Sequence, residues 1–305
     1  MTQDRSGVPR GRDARSGRGV VLHVLVAGCG WLGEAVAAAC LARGDRVTGI
    51  RRDAARARAL GRLGIESLVL DLAGPGAEDR LPRDVQAVVA CQSAGSDTPE
   101  AYRAAYVAAN RALLRAARHM PLSAFVYTGS TGVFGQRDGS DVDEATPPSP
   151  SGAAAELLAE AERLVLGAEG VPARLLRLSG LYGPGRSGIV ERVRSGTLAL
   201  GPGDEVWMNF CHRDDAVAAV LAAIDRGRPG GVYHGTDAHP PRRHEVVEWI
   251  AARLGIPPPR RQEPPGGRAG ANRRILGERT RVELSLRLAF ASFREGLAAL
   301  LPVAG

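Results

Sequence analysis

The chain has 305 residues, of which 44% are hydrophobic and 24% charged, a composition that excludes fibrous and wholly disordered classes and provides for a sizeable core. No apolar run reaches the roughly 20 residues that a membrane-spanning helix needs, the longest near the N-terminus being Val20 to Ala27. The net charge is +7, with the excess held in residues 1–19 (five Arg, two Asp) and 260–281 (seven Arg, two Glu); a basic tail and one Pro/Gly-rich segment are not the stripe of a nucleic-acid-binding face.

Every one of the 40 basic residues is Arg, so Schiff-base chemistry and other routes through a lysine amine are closed. Cys29, Cys40, Cys91 and Cys211 are widely spaced, without the pairing that marks zinc sites, and a reduced cytoplasmic protein with no metal is expected. The basic start ahead of Val20 resembles a signal peptide, but the apolar run passes straight into a glycine turn with no small-residue cleavage site, so it reads as a strand.

In chain order, residues 1–19 carry no apolar period and are expected to be a disordered tail. Strand-like runs follow at Val20–Ala27, Arg46–Ile50, Ser67–Leu70, Val85–Cys91, Ala124–Thr128 and Ala173–Leu178. Between them lie stretches of helical period, among them Glu34–Arg43, Ala101–Arg118 and Ala153–Leu166. A helix at 215–225 and a strand at Val232–His234 return to the same pattern. Doubly apolar strands alternating with helices predict an α/β, Rossmann-type doubly wound parallel sheet. The expected division is a dinucleotide-binding domain of residues 20–180 and 205–235, with a smaller substrate-binding lobe of 181–204 and 236–305 over the strand ends.

Gly28-Cys29-Gly30-Trp31-Leu32-Gly33 follows the first strand and opens a helix. In that context GxGxxG is a dinucleotide fingerprint: a tight turn, a close approach to the pyrophosphate, and close helix packing. The second strand ends in Arg51-Arg52, where an NAD site would place an acid for the ribose hydroxyl. Guanidinium groups there favour a 2′-phosphate, and NADP(H) is the expected cofactor. Asp71 at the end of the third strand either approaches the adenine or caps a helix. Leu72 beside it, Ser93 after the fourth strand, and Leu181 are further positions assigned to the cofactor.

Together with this fingerprint, Tyr127-Thr128-Gly129-Ser130-Thr131-Gly132, Arg177-Leu178-Ser179-Gly180-Leu181-Tyr182-Gly183-Pro184-Gly185-Arg186 and Asn209-Phe210-Cys211-His212-Arg213-Asp214-Asp215 resemble the extended short-chain dehydrogenase/reductases, near the NAD-dependent epimerase/dehydratase group. The resemblance spans about residues 20–300 and implies a nicotinamide cofactor and, commonly, a dimer. It implies that Ser130 is the active-site hydroxyl, that residues 180–186 close over the nicotinamide, and that His212 lines the substrate cavity. The departures are large. Ser151 and Ala155 stand where the family has its catalytic Tyr and Lys, and Tyr106 is read as replacing an active-site Asn.

Without Tyr and Lys, alcohol oxidation lacks its base, whereas reduction can take a proton from a phenol, a histidine or water. The expected activity is therefore NADP(H)-dependent reduction of a small organic carbonyl or imine. Ser130, His212 and Tyr106 are the catalytic candidates, with Tyr182, Arg186 and His239 against the substrate. The alternatives are non-redox chemistry on the same fold, or a non-catalytic nucleotide sensor. The arginines of 260–281 are either a solvated loop or a meeting point for an anionic substrate. A small-molecule substrate and a possible homodimer are expected; nucleic acid and membrane are not.

Overall fold

Strand β1 (His23–Ala27) is buried along its whole length, as a central strand of a parallel sheet must be when helices cover both faces. A computed structural model describes residues 21–198, 200–201, 204–257, 259 and 271–301. The expected tail at 1–19 and most of the arginine-rich segment before residue 271 lie outside the described residues.

From β1 the chain enters α1 (Trp31–Ala42), β2 (Arg46–Arg51), α2 (Ala54–Leu60), β3 (Glu66–Val69) and β4 (Ala87–Ala90). The single long helix expected at 101–118 is in fact α3 (Pro99–Tyr102), a π-helical turn (Arg103–Ala108) and α4 (Ala109–Ala117). Next come β5 (Ala124–Ser130), β6 (Asp141–Val142), α5 (Ala153–Leu166), β7 (Ala173–Leu178) and β8 (Gly180–Tyr182). Helix α6 (Gly188–Arg194), β9 (Phe210–His212), α7 (Arg213–Arg226), β10 (Val232–Gly235), α8 (Arg243–Leu254), β11 (Arg274–Ile275), α9 (Glu278–Glu283) and α10 (Phe293–Ala298) complete the chain. No helix among the described residues is long and apolar enough to cross a membrane.

Seven strands form one parallel sheet in the order β10-β7-β5-β4-β1-β2-β3. Strand order reverses at β1, which pairs with both β2 and β4, and ligands of such sheets bind in the crevice beyond the strand ends at that switch point. On β7, Arg177 is buried against α5 and pairs with Glu162 through two bonds of 3.0 and 2.9 Å. Desolvation still holds the Glu162 carboxyl above its usual range, so the cost of burying the pair offsets much of its Coulombic gain.

A separate apolar core joins Tyr182, Val190, Phe210, Val247, Ile250 and Phe293 from β8, α6, β9, α8 and α10. Asp237, just beyond β10, is buried beside it, and burial, with Asp215 adding to it, pushes its carboxyl up from 3.8 to about 8. The folded state therefore holds a proton that the unfolded chain releases, and stability falls as pH rises from about 4 to about 8. Asp237→Asn is expected to flatten that slope. A melting temperature that falls as steeply in the variant as in the parent would remove Asp237 as its source.

Candidate functional site

Two adjoining cavities open at the carboxyl ends of the sheet strands, of about 310 and 380 Å³. Gly28, Gly30, Gln92 and Ser93 belong to the walls of both. The outer cavity is lined by Arg51, Arg52, Arg56, Asp71, Leu72 and Gly95, among others. The inner one is lined by Trp31, Leu32, Tyr106, Ser130, Leu181 and Arg186, among others.

The fingerprint glycines divide their work as the spacing implies. Gly28 has φ +79°, and a Cβ there would overlap the Gln92 backbone. Gly33 lies outside the cavity walls, where a Cβ would come within 2.6 Å of the Gly28 carbonyl and 3.1 Å of Cys91 Sγ. At Gly30 the nearest such neighbour is 3.7 Å away, so the space is open, and α1 has no side-chain cap over its first N–H groups. Free N–H donors at a helix N-terminus facing an open cradle fit a pyrophosphate.

Arg51 and Arg52 do not act alike. Arg51 is tied to Glu34 across the α1 terminus, whereas Arg52 is exposed and reaches over the outer cavity, its Nη2 falling 3.7 Å from where a Gly95 Cβ would lie. Asp71 accepts the Ala73 N–H at 3.0 Å, so its carboxylate fixes a turn while also lining the cavity.

In the inner cavity, Ser130 ends β5, and its Oγ accepts the Gly132 N–H at 3.0 Å. That bond leaves the hydroxyl hydrogen to donate to a ligand. Tyr106 lies on the π-helical turn, edge-on to Tyr102 at 5.3 Å, with its hydroxyl accepting the Ala94 N–H at 3.4 Å. Packing and cavity lining thus coexist, and burial raises its pKa. The sequence reading passes over Asn110, which is fully buried, donates to the Tyr106 carbonyl at 2.8 Å and accepts from Gln92 Nε2 at 3.1 Å. A lone amide among the alanines, leucines and arginines of α4 is its only signal. Trp31 donates from Nε1 to the Pro184 carbonyl at 2.8 Å, and its ring carries the guanidiniums of Arg186 and Arg213 at 5.2 and 5.6 Å. These contacts hold the 183–186 turn over the α1 terminus.

Other expected positions fall elsewhere. His212 is outside both cavity walls: it caps α7, its Nδ1 accepting the Asp214 N–H at 3.2 Å, and its ring packs 4.0 Å from that of Phe290. Burial lowers its pKa, so the ring is neutral at pH 7. His212→Asn, which keeps a capping side chain, is expected to leave the pH profile of kcat/KM unchanged; loss of a limb in that profile would return His212 to the chemistry. Tyr182 turns into the second core, where its hydroxyl abuts Gly296, rather than toward a substrate. His239 is exposed and away from both cavities. Ser151 is exposed ahead of α5 and Ala155 is buried within it, and Leu158, one turn on, is the α5 residue that reaches the inner wall.

Comparison with known proteins agrees with this architecture. The chain is 30% identical over 243 residues to Protein YeeZ of Escherichia coli (strain K12), covering 77% of this chain and 85% of that protein. It is 32% identical over 258 residues to the 3-diazoavenalumate denitrifying reductase of a Streptomyces species, covering 78% and 84%. A functionally unknown conserved protein from Silicibacter pomeroyi superposes with a TM-score of 0.76 at 25% identity, over 92% of this chain and 98% of that one. Residues 24–234 match the model of the NAD dependent epimerase/dehydratase family, and with the fingerprint, the switch-point crevice and the Ser130 cavity in place, the chain belongs to that family.

Proposed function

We propose that the protein is an NADPH-dependent reductase of a small organic electrophile, a carbonyl, imine or comparable group. The observation that carries this reading is the chemistry of the inner cavity. Its ionisable lining side chains among the described residues are Tyr106, Cys91 and Arg186. Burial raises the Tyr106 phenol and the Cys91 thiol, so both keep their protons at neutral pH, and Arg186 is a cation with no acceptor. Such a wall can donate hydrogen bonds or a proton but offers nothing to remove one, which disfavours alcohol oxidation and suits reduction.

The cofactor, when bound, supplies the hydride. Gly28, Gly30 and the α1 terminus hold the pyrophosphate, and Arg52, with Arg56 beside it, neutralises a 2′-phosphate. Ser130 donates to the heteroatom of the group being reduced, and Tyr106 or water returns the proton that the heteroatom requires. The relative named as a denitrifying reductase supports the reductive direction.

Deuteride transfer from 4-deuterated NADPH into the product of a carbonyl and imine panel tests the reading. Label found in product supports it. Turnover of a panel member with no label incorporated, or with equal use of NADPH and NADH, would sink it.

A further inference from the structure

The start of α1 and the 183–186 turn are fastened together. Trp31, the first residue of α1, donates from Nε1 to the Pro184 carbonyl at 2.8 Å, and Gly183 and Arg186 exchange backbone bonds of 3.1 and 2.9 Å that close the turn. Gly183 is packed between its neighbours: a Cβ there would fall 3.1 Å from Arg213 Cβ and 3.4 Å from Trp31 Cζ2. The turn thereby sets Arg186 over the indole, its Cζ 5.2 Å from the ring centroid, with that of Arg213 at 5.6 Å. The two guanidiniums are not equivalent. Arg213 pairs with Asp214 at 3.1 Å, whereas Arg186 is exposed and forms no ion pair among the described residues. Two cations share one indole and one carboxylate, and an anion beside them would offset the excess charge.

Arg186 and Trp31 both line the inner cavity, together with Gly28, Gly30 and Leu32, and no aspartate or glutamate among the described residues belongs to that wall. Burial raises the Tyr106 phenol of the same wall, and the charge of Arg186 acts against the rise, so the field of the cation reaches into the cavity. The nature of the anion follows from α1. Its first backbone bond runs from the Glu34 N–H to the Gly30 carbonyl at 2.7 Å, which leaves the N–H groups of Trp31, Leu32 and Gly33 without acceptors in the helix. Trp31 joins the two features, since its N–H is one of these donors and its ring carries the guanidinium.

We propose that Arg186, held on the Trp31 indole, is the second half of the pyrophosphate site, its guanidinium neutralising the diphosphate that the α1 N–H groups orient. The inference rests on the dinucleotide reading of the cradle, and it assigns Arg186 to the cofactor rather than to the substrate. NADPH and NADH share the diphosphate and differ in the 2′-phosphate. Arg186 therefore serves both cofactors alike, whereas Arg52 serves NADPH alone.

Calorimetric titration of the parent, Arg186→Gln and Arg186→Lys with NADPH, NADH and ADP-ribose supplies the test. Arg186→Gln is expected to weaken all three by about tenfold or more, the effect of losing a hydrogen bond to a charged group, and Arg186→Lys to keep part of the affinity. Adenosine 2′-phosphate, which has no diphosphate, should bind the parent and Arg186→Gln equally. Trp31→Phe, which keeps a ring but not the bond to Pro184, should weaken the three diphosphate ligands by a common, smaller factor. A loss confined to NADPH would assign Arg186 to the 2′-phosphate, and unchanged affinities with a raised substrate KM would assign it to the substrate; either overturns the proposal. So does an equal loss for adenosine 2′-phosphate, which would mark damage to the whole cradle. A parent that binds none of the ligands overturns the dinucleotide reading, whereas a parent that binds them without help from Arg186 overturns this proposal alone. Deuteride transfer is scored separately: an Arg186-dependent diphosphate affinity without transfer supports the proposal and overturns the reductase reading.

Discussion

Ser130→Ala is expected to lower kcat by about a hundredfold, the cost of removing one positioned donor from a reacting heteroatom, while leaving the NADPH dissociation constant nearly unchanged. The separation follows from geometry: Ser130 belongs to the inner cavity alone, whereas Arg52, Arg56 and Asp71 line only the outer one. The same substitution removes the Oγ that accepts the Gly132 N–H, and stability should fall by about 1 kcal/mol. Ser130→Thr, which restores both the donor and the cap, should recover much of each. Steady-state kinetics on a turned-over substrate, with calorimetric titration of NADPH, checks both arms. Full activity in Ser130→Ala, or a loss confined to cofactor affinity, would take the hydroxyl out of the chemistry.

Arg52→Gln is expected to weaken NADPH binding by about tenfold to a hundredfold, the range for a hydrogen bond to a charged group, and to leave NADH binding nearly unchanged. Arg51→Gln should do less to the phosphate contact, because Arg51 is already engaged by Glu34, though it should loosen the α1 terminus that Glu34 helps to position. Titrating both variants with both cofactors separates the roles. Equal affinity of the parent for NADPH and NADH would refute the 2′-phosphate assignment, and a larger loss from Arg51 than from Arg52 would reverse the division of labour between them.

Much of this site was legible before any tertiary contact was known, because its signals are local. The GxGxxG turn is written in six consecutive residues, the apolar runs report strands buried on both faces, and Ser130 sits at the end of such a run. The parallel sheet and the crevice at its switch point follow from that alternation. The absent Tyr and Lys were equally plain, being a matter of which residues stand at 151 and 155.

What the chain could not announce were properties set by partners far apart in it. Of two adjacent arginines, only packing against α1 determined that Arg51 would be neutralised by Glu34 and Arg52 left over the cavity. A motif placed His212 and Tyr182 near the substrate, but their directions are set by Phe290 and Gly296, more than 75 residues later. One π-helical turn, stabilised by Asn110 bonding back to the Tyr106 carbonyl, displaces the polar face of a helix that periodicity describes as continuous. Arg273 was one of seven arginines in a basic segment until the fold set its Nη2 on the Thr131 carbonyl. Sequence by itself determined the alternation of central strands and helices and the glycine turn that opens α1, since dihedral preference and hydrophobic period act between near neighbours. Tertiary structure alone decided which charges are compensated and which side chains face the cavity, because desolvation and Coulomb terms depend on everything a group is folded against.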